Sequence, residues 1–374
     1  MTMNKRVLVT GGAGFIGSFL VDALIVRGYQ VRILDNLDPQ VHPDGKPPNY
    51  LNEEAEFIHD DVCNYEGLKR TIKDVKIIFH EASAVGVGQS QYQVKKYVDV
   101  NVGGTANLLD ILVNFKHKVE KIIVAASMSS YGEGRGHCPT CGIGKPSFRP
   151  SQQMALGDWE VHCPKCNNHL SPISTDENTR RQCNSIYALT KKQQEDMVLN
   201  IGKTYSIPSV SLRYFNVYGP RQSLSNPYTG VAAIFISRLK NSHQPTVYEN
   251  GLQTRDFVSV YDVVNANLLA MDIDKADYQA FNIGSGIPRT IKSIAESLAS
   301  VMGKDLPPVI THTYRKGDVR HCFADIRKAQ KLLGFEPKVT FEDGLRELIE
   351  WSNSAPAVDK FDLATQELKE KGLV

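Results

Sequence analysis

The stretch VLVTGGAGFIG, residues 7–17, decides the fold. An apolar, β-branched run leads into Gly11, Gly14 and Gly17, and a helical pattern begins at Phe15. A strand that turns through glycines directly into a helix meets three physical needs. It makes a tight turn, lets a pyrophosphate approach the backbone, and aims helix N-terminal amides at negative charge. Gly11, Gly14, Phe15, Ile16 and Gly17 are therefore expected to hold the phosphates of a dinucleotide. Glycines punctuate many ordinary turns, so the weight lies on the strand–turn–helix context.

Working outward, KRVLVT, QVRILD, AEFIHDD, KIIFHEA, KIIVAAS and SVSLRYF read as strands, with helical patterns between several of them, such as residues 15–27 and 92–114. Near-continuous apolar strands separated by helices imply an α/β fold, a doubly wound parallel sheet covered on both faces. Asp35 closes the second strand, where a carboxylate accepts hydrogen bonds from ribose hydroxyls and repels a 2′-phosphate, so NAD is favoured over NADP. Asn36 follows it, and Asp61 and Val62, at the end of the third strand, are expected to border the adenine. A solvated strand-end or capping Asp is the plain alternative for Asp35.

The chain has 374 residues, a net charge of +2 and 22% charged residues, so no global electrostatic case exists for nucleic acid or an acidic membrane. No apolar run approaches the ~18 residues of a membrane span, and no apolar leader precedes the first strand. A cytoplasmic protein acting on small molecules is the expectation. The α/β pattern is interrupted by residues 133–182, rich in Gly, Pro, Cys, Asn and Ser. A structureless loop of that length is improbable in a compact domain. Cys138-x2-Cys141 and Cys163-x2-Cys166 supply the organising principle: two turns presenting four thiolates, a zinc-ribbon-like module. Four cysteines leave no open coordination position, so Zn2+ there is expected to be structural; iron in a rubredoxin-like site and unbound thiols are the alternatives. The insertion carries six Lys/Arg against five acids, which makes no nucleic-acid patch.

YALTK places Tyr187 and Lys191 one turn apart on a helix face, a common surface pair when it stands alone. Here a strand also ends in VAASMSSYG, which brings Ser127 and Ser129 to the carboxyl edge of the sheet, where such folds bind ligands. A nearby ammonium and a nicotinamide cation would favour the Tyr187 phenolate as a base for a sugar hydroxyl. The motifs TGGAGFIG, NVGGT, SMSSYG, YALTK, RYFNVYGPR, RDFVSVYDV, FNIGSG and RKGDVRHCFAD follow in that order. In this series the chain resembles the extended short-chain dehydrogenases/reductases, a Rossmann-type family, and within it the nucleotide-sugar epimerases typified by UDP-galactose 4-epimerase. The resemblance runs over roughly residues 5–350 outside the insertion.

The resemblance implies that Ser127 hydrogen-bonds the reacting sugar oxygen, Tyr187 is the base, and Lys191 holds the cofactor ribose. It implies that Asn101 supports the cofactor, that Asn216, Arg255 and Arg315 hold a nucleotide diphosphate, and that Cys322 backs the sugar pocket. The 4,6-dehydratases of the family carry Asp-Glu where this chain has Met128 and Ser129, so 4-epimerization with tightly bound, recycled NAD is expected. LDNLDPQVH, AVGVGQSQY, LGDWE and GPRQSLSNPYTGV look like the dTDP-L-rhamnose 4-epimerase group, which interconverts dTDP-L-rhamnose and dTDP-6-deoxy-L-talose. A UDP-hexose or UDP-uronate epimerase, a net reductase or dehydrogenase, and a non-catalytic zinc-dependent binding module are the rival readings. The expected organisation is a cofactor domain at 1–216 with 258–284, the insertion at 133–182, a smaller α/β substrate lobe at 217–257 with 285–350, and a tail at 351–374. A homodimer is implied through the helix around 92–114 and the Tyr187 helix.

Overall fold

The computed structural model describes residues 5–374. Seven strands form the central sheet: β1 (Arg6–Thr10), β2 (Gln30–Asp35), β3 (Glu56–His59), β4 (Val75–His80), β5 (Lys121–Ser127), β6 (Ser209–Tyr214) and β7 (Gln279–Ile283). Their order is β7-β6-β5-β4-β1-β2-β3, and every pairing is parallel. The apolar runs are continuous because each strand feeds two cores. Val7 and Val9 of β1 pack on one face with Phe79 and Ile123, whereas Leu8 packs on the other with Ile78 and Ile122. This is the doubly wound arrangement, with its direction of winding reversed between β1 and β4.

Helix α1 (Phe15–Val26) follows β1 without a connecting loop long enough to move it. A methyl group on Gly17 would lie 2.2 Å from the Gly11 carbonyl oxygen, and one on Gly11, which has φ +71°, would lie 2.9 Å from Ala82 backbone. The two glycines therefore let α1, the turn and the end of β4 crowd together. The segment Val94–Asn114 is helical throughout but contains a π-helical turn at Val98–Gly103. Such turns insert one extra residue and re-aim a side chain; here that side chain is Asn101.

A second lobe has its own core, where Phe235, Ile236 and Leu239 meet Ile294, Leu298, Leu345 and Leu348 from three helices. Its short strands bring Thr254–Ser259 beside His321–Cys322. The 133–182 insertion contains a three-stranded antiparallel sheet, with Arg135–Cys138 between Gly142–Gly144 and Ser171–Ile173. Its apolar core consists of Cys138, Val161, Cys163 and Leu170, with Cys141 packed against them. The tail docks as a helix at Phe361–Glu370. Among the described residues no helix is long and apolar enough to cross a membrane.

Gly17→Ala tests the crowding at the turn. Because its methyl group meets backbone rather than a flexible side chain, the turn must open. Bound NAD in the purified variant should fall at least about tenfold, read by the absorbance of the heat-released supernatant; wild-type content in a folded variant would show that the contact is tolerated.

Candidate active site

A cavity of about 580 Å³ runs from the glycine turn, past the carboxyl ends of β1, β4 and β5, into the cleft between the lobes. Gly11, Gly14, Phe15, Ile16 and Gly17 line one end. Asp35, Asn36, Asp61 and Val62 line the same end, on the far side of β1. The Asp35 carboxylate is already engaged: Oδ2 accepts from the Ala13 amide at 3.0 Å and Oδ1 from the Leu37 amide at 2.9 Å. Each oxygen has a second lone pair, so the carboxylate is held in place with acceptor capacity left for two hydroxyls. The Asn36 amide donates to Asp61 at 2.7 Å, tying the ends of β2 and β3 together.

Ser127, Ser129, Tyr187 and Lys191 line the middle of the cavity. Ser127 closes β5, and its Oγ accepts from the Ser129 hydroxyl at 2.9 Å and from the Ser129 amide at 3.2 Å. Tyr187 and Lys191 belong to helix α2 (Ile186–Tyr205), which Ser185 caps by accepting from the Ala188 amide at 3.1 Å. The Ser90 hydroxyl accepts from the Tyr187 amide at 3.0 Å and fixes the first turn of α2 against the segment after β4. Burial raises the Tyr187 phenol above its ordinary range, and the Ser127 hydroxyl opposes that shift. The protein alone therefore keeps Tyr187 protonated at neutral pH, which leaves a cofactor's positive charge as the remaining force toward phenolate.

Glu81, at the end of β4, is a lining residue that motif reading passed over. Burial pushes its carboxyl up, and the Tyr214 hydroxyl, donating at 2.8 Å, and the Lys191 ammonium oppose that rise. Burial pulls Lys191 down, and Glu81 opposes it in turn. Each favours the charged form of the other against a burial that disfavours both.

Asn216, Arg255 and Arg315 line the far end. Arg255 and Arg315 converge on one carboxylate, Asp318, at 3.3 and 2.9 Å. Asn216, Gln222 and Gln253 all line the cavity, and each has its amide oxygen buried without a partner. Three unpaired buried amide oxygens are costly unless a polar ligand meets them. A Gln in each of the runs GPRQ and GLQTRD carried no motif weight, which is why Gln222 and Gln253 were not singled out.

Asn101 and Cys322 do not line the cavity. Asn101 is fully buried; its amide takes the Ala84 N–H at 2.7 Å and donates to the Ala84 carbonyl and to Thr190 of α2. It shapes the wall rather than forming it, because the π-helical turn points it into the protein. Cys322 lies one layer back, packed with Met128, Phe215 and Val319, all three of which do line the cavity.

The four cysteine sulfurs, Cys138, Cys141, Cys163 and Cys166, lie within 4.8 Å of one another, with Cys138 and Cys166 at 3.4 Å. A tetrahedral four-sulfur site with bonds of about 2.3 Å needs sulfurs about 3.8 Å apart, so the donor set fits one ion. Backbone amides of Lys165 and Cys166 pull the Cys163 thiol down toward thiolate.

The cavity also has a wall from the tail. Phe361, Ala364, Thr365 and Leu368 line it, at the spacing of one helix face. Arg238 pairs with Asp359 and Asp362 and covers the Phe361 ring, the Tyr228 hydroxyl donates to Glu367 at 2.7 Å, and the Lys316 amide donates to the Leu373 carbonyl at 2.9 Å. Leu368 rests on Gly88, after β4, so the helix spans both sides of the cleft.

Comparison with known proteins agrees with this architecture. Residues 7–153 match the NAD dependent epimerase/dehydratase family, and residues 169–348 match the GDP-mannose 4,6 dehydratase family. The chain belongs to the NAD-dependent epimerase/dehydratase family, the extended short-chain dehydrogenases/reductases. Among its relatives, the dTDP-L-rhamnose 4-epimerase of Burkholderia thailandensis is 34% identical over 93% of this chain and 95% of that one. The UDP-glucuronate 4-epimerase of Thermodesulfobacterium geofontis is 30% identical over 92% and 95%. The crystal structure of UDP-glucose 4-epimerase from Thermotoga maritima with UDP-glucose superposes with a TM-score of 0.77 at 32% identity, covering 93% of this chain and 98% of that one.

Deleting residues 356–374 removes the tail wall while leaving both cores in place. The truncated protein should retain NAD, show a KM for its nucleotide sugar raised by about tenfold, and release more oxidised sugar to solvent per turnover than the full chain. Unchanged steady-state constants and no released intermediate would show the helix to be a bystander.

Proposed function

We propose that the protein is an NAD-dependent nucleotide-sugar 4-epimerase, with dTDP-L-rhamnose and dTDP-6-deoxy-L-talose as the substrate pair. The observation that carries the reading is the meeting of Ser127, Tyr187 and Lys191 with Arg255 and Arg315 in one cavity that begins at the glycine turn. The likeness to the Burkholderia enzyme supports the choice of sugar and nucleotide; the likeness to UDP-sugar epimerases supports UDP-hexoses and UDP-uronates as the next candidates.

NAD, when bound, supplies a hydride acceptor that returns the hydride within the same turnover, and a positive charge in the cavity. The cradle at Gly11 and Gly17, which a methyl group would fill, and the anchored Asp35 fit that cofactor. Tyr187 takes the proton of the sugar 4-hydroxyl, and Ser127 donates to the oxygen as it becomes a carbonyl. Lys191, whose charged form Glu81 favours, holds a ribose hydroxyl. Arg255 and Arg315 grip the diphosphate while the hexose turns over, because rotation must occur about bonds beyond the clamp. Tyr187 then returns the proton to the same oxygen. Met128 and Ser129 offer no carboxyl pair for water elimination, and Glu81 accepts from the Tyr214 hydroxyl.

The four-cysteine site holds structural Zn2+ in this reading. A core of so few residues does not fold some fifty by burial alone, and a closed four-thiolate ion supplies the missing stability. The enzyme acts as a homodimer; Val94, Val98 and Leu189, exposed apolar residues on the helices around 92–114 and 186–205, support that assembly.

Purified protein should convert dTDP-L-rhamnose to its 4-epimer without added cofactor, followed by NMR of the sugar, and a panel of UDP-hexoses and UDP-uronates ranks the alternatives. Tyr187→Phe should lower kcat by about 10²–10⁴-fold with bound NAD retained. Stoichiometric NADH release in place of epimerization would overturn the reading in favour of a net dehydrogenase. For the metal, elemental analysis should find one zinc per chain, lost in Cys138→Ser together with protection of the insertion from proteolysis; iron in its place, or a protected insertion without metal, would refute the assignment.

A further inference from the structure

A buried ionic network joins the insertion to the segment that carries Arg315 and Asp318. Arg149, from between the two cysteine pairs, has 2% of its side chain exposed. Its guanidinium meets Glu249 at 2.8 Å, approaches Glu133 at 3.4 Å, and donates to the carbonyls of Trp159 at 3.0 Å and Asp318 at 3.2 Å. Glu133, at the start of the insertion, accepts the backbone amides of Arg320 at 2.8 Å and His321 at 3.2 Å. Glu160, also of the insertion, pairs with Arg320 at 2.5 Å and His321 at 3.0 Å. Arg320 is completely buried and reaches Glu249 at 2.7 Å.

The insertion thus holds three successive points on one backbone strip: the Asp318 carbonyl and the Arg320 and His321 amides. On the opposite side of that strip sits the clamp. Arg255 donates to the Val319 carbonyl at 2.5 Å, to the Arg320 carbonyl at 3.1 Å and to the Asp318 carboxylate at 3.3 Å, and Arg315 donates to the same carboxylate at 2.9 Å. Arg315 also lies over the ring of Tyr248, the residue before Glu249 and itself a lining residue. The network therefore touches both walls of the diphosphate end without entering the cavity: Arg149, Glu133 and Glu160 are absent from the lining.

A surface module needs no such wiring. An exposed ion pair is worth little, whereas a fully desolvated arginine is costly unless its partners are fixed, and it fixes them in return. We propose that the insertion is the positioning element of the diphosphate clamp: Arg149, held between Glu133 and Glu249, sets the backbone of residues 318–321 and through it the geometry of Asp318, Arg255 and Arg315. Arg149 is a positioning residue; it acts through the strip, not on the ligand. The inference rests on the reading of Arg255 and Arg315 as diphosphate ligands.

The test is binding of dTDP and UDP to the full-length, NAD-loaded protein by calorimetry, with kcat and KM measured beside it. Arg149→Met keeps an unbranched, largely apolar stem and removes the charge and the fork. It should weaken nucleoside diphosphate binding at least about tenfold and raise KM to match, with kcat within about threefold and NAD content unchanged. Arg149→Lys should recover part of the affinity. If Arg149→Met fails to fold, Glu160→Gln, which leaves Arg149 in place and loosens Arg320 and His321, should show the same split between KM and kcat. Wild-type affinity in a folded Arg149→Met or Glu160→Gln protein with a lowered melting temperature would overturn the inference and leave the network a structural brace. Failure of the wild-type chain to bind either nucleoside diphosphate would instead overturn the reading of Arg255 and Arg315, and the inference with it.

Discussion

The structure depends on one reversal. Chain order runs outward in one direction from β1 to β2 and β3, and in the other from β4 to β5, β6 and β7, so the connections after β1 and β4 part and leave a crevice at the carboxyl edge. Everything chemical is gathered there because nothing else can fill it. The Gly11 turn leaves β1 on one side, Glu81 and the Ala84 segment leave β4 on the other, and Ser127 emerges from β5 next along. The crevice is narrow at the glycines, where Gly11 approaches Ala82 too closely for a side chain, and widens toward the second lobe.

Charge at the middle of the crevice is managed by pairing rather than by solvent. Burial works against every ionised form there: it raises Tyr187 and Glu81 and lowers Lys191. Lys191 stays a cation because Glu81 is beside it, and Glu81 is oriented by Tyr214, which Asn267 holds by donating at 2.8 Å. Met128 and Ser129 bring no carboxyl pair to remove water from a keto sugar, and the redox cycle closes on the same carbon.

Much of this was legible in the sequence, for a physical reason. A strand buried on both faces is apolar at most positions, and a helix that receives a pyrophosphate opens on glycine, so β1 to β6 and the cofactor turn are written largely in local composition. Tyr187, Lys191 and Ser127 stood out by spacing, a strand end and the family resemblance, and they line one cavity. What spacing does not reveal is direction. Asn101 reads as a cofactor contact, yet a π-helical turn, which leaves no mark in composition, aims it at Ala84 and Thr190. Cys322, expected to back the pocket, stands behind Met128 and Phe215 and does not reach the lining. The polar tail is compatible with a helix, but its composition does not say that Phe361, Ala364 and Leu368 would cover the cavity. The buried network was out of reach altogether, since Glu133 and Arg320 are 187 residues apart and each alone looks like a surface charge.

The cysteines take their meaning from that network. Fifty residues between Ser127 and Tyr187 are a hazard for an active site whose two halves must meet, because each degree of freedom in the insertion could part them. Two constraints remove the hazard. At the tip, four sulfurs converge within 4.8 Å, a donor set that fits one ion; at the base, Glu133, Arg149 and Glu160 hold residues 318–321. Either alone is insufficient: a rigid module on a loose base would swing, and a locked base under an unfolded tip would lose Arg149, which lies between the cysteine pairs. Four arginines, Arg149, Arg255, Arg315 and Arg320, are matched there by four carboxylates, Glu133, Glu160, Glu249 and Asp318. Of the eight, only Arg255, Arg315 and Asp318 face the cavity. On the proposed reading, a diphosphate entering the crevice meets two arginines already aligned by a shared carboxylate, and competes with that carboxylate for them while the rest of the network stays fixed. The insertion, a problem of sequence separation, is on that reading the anchor against which the substrate is held while its sugar turns.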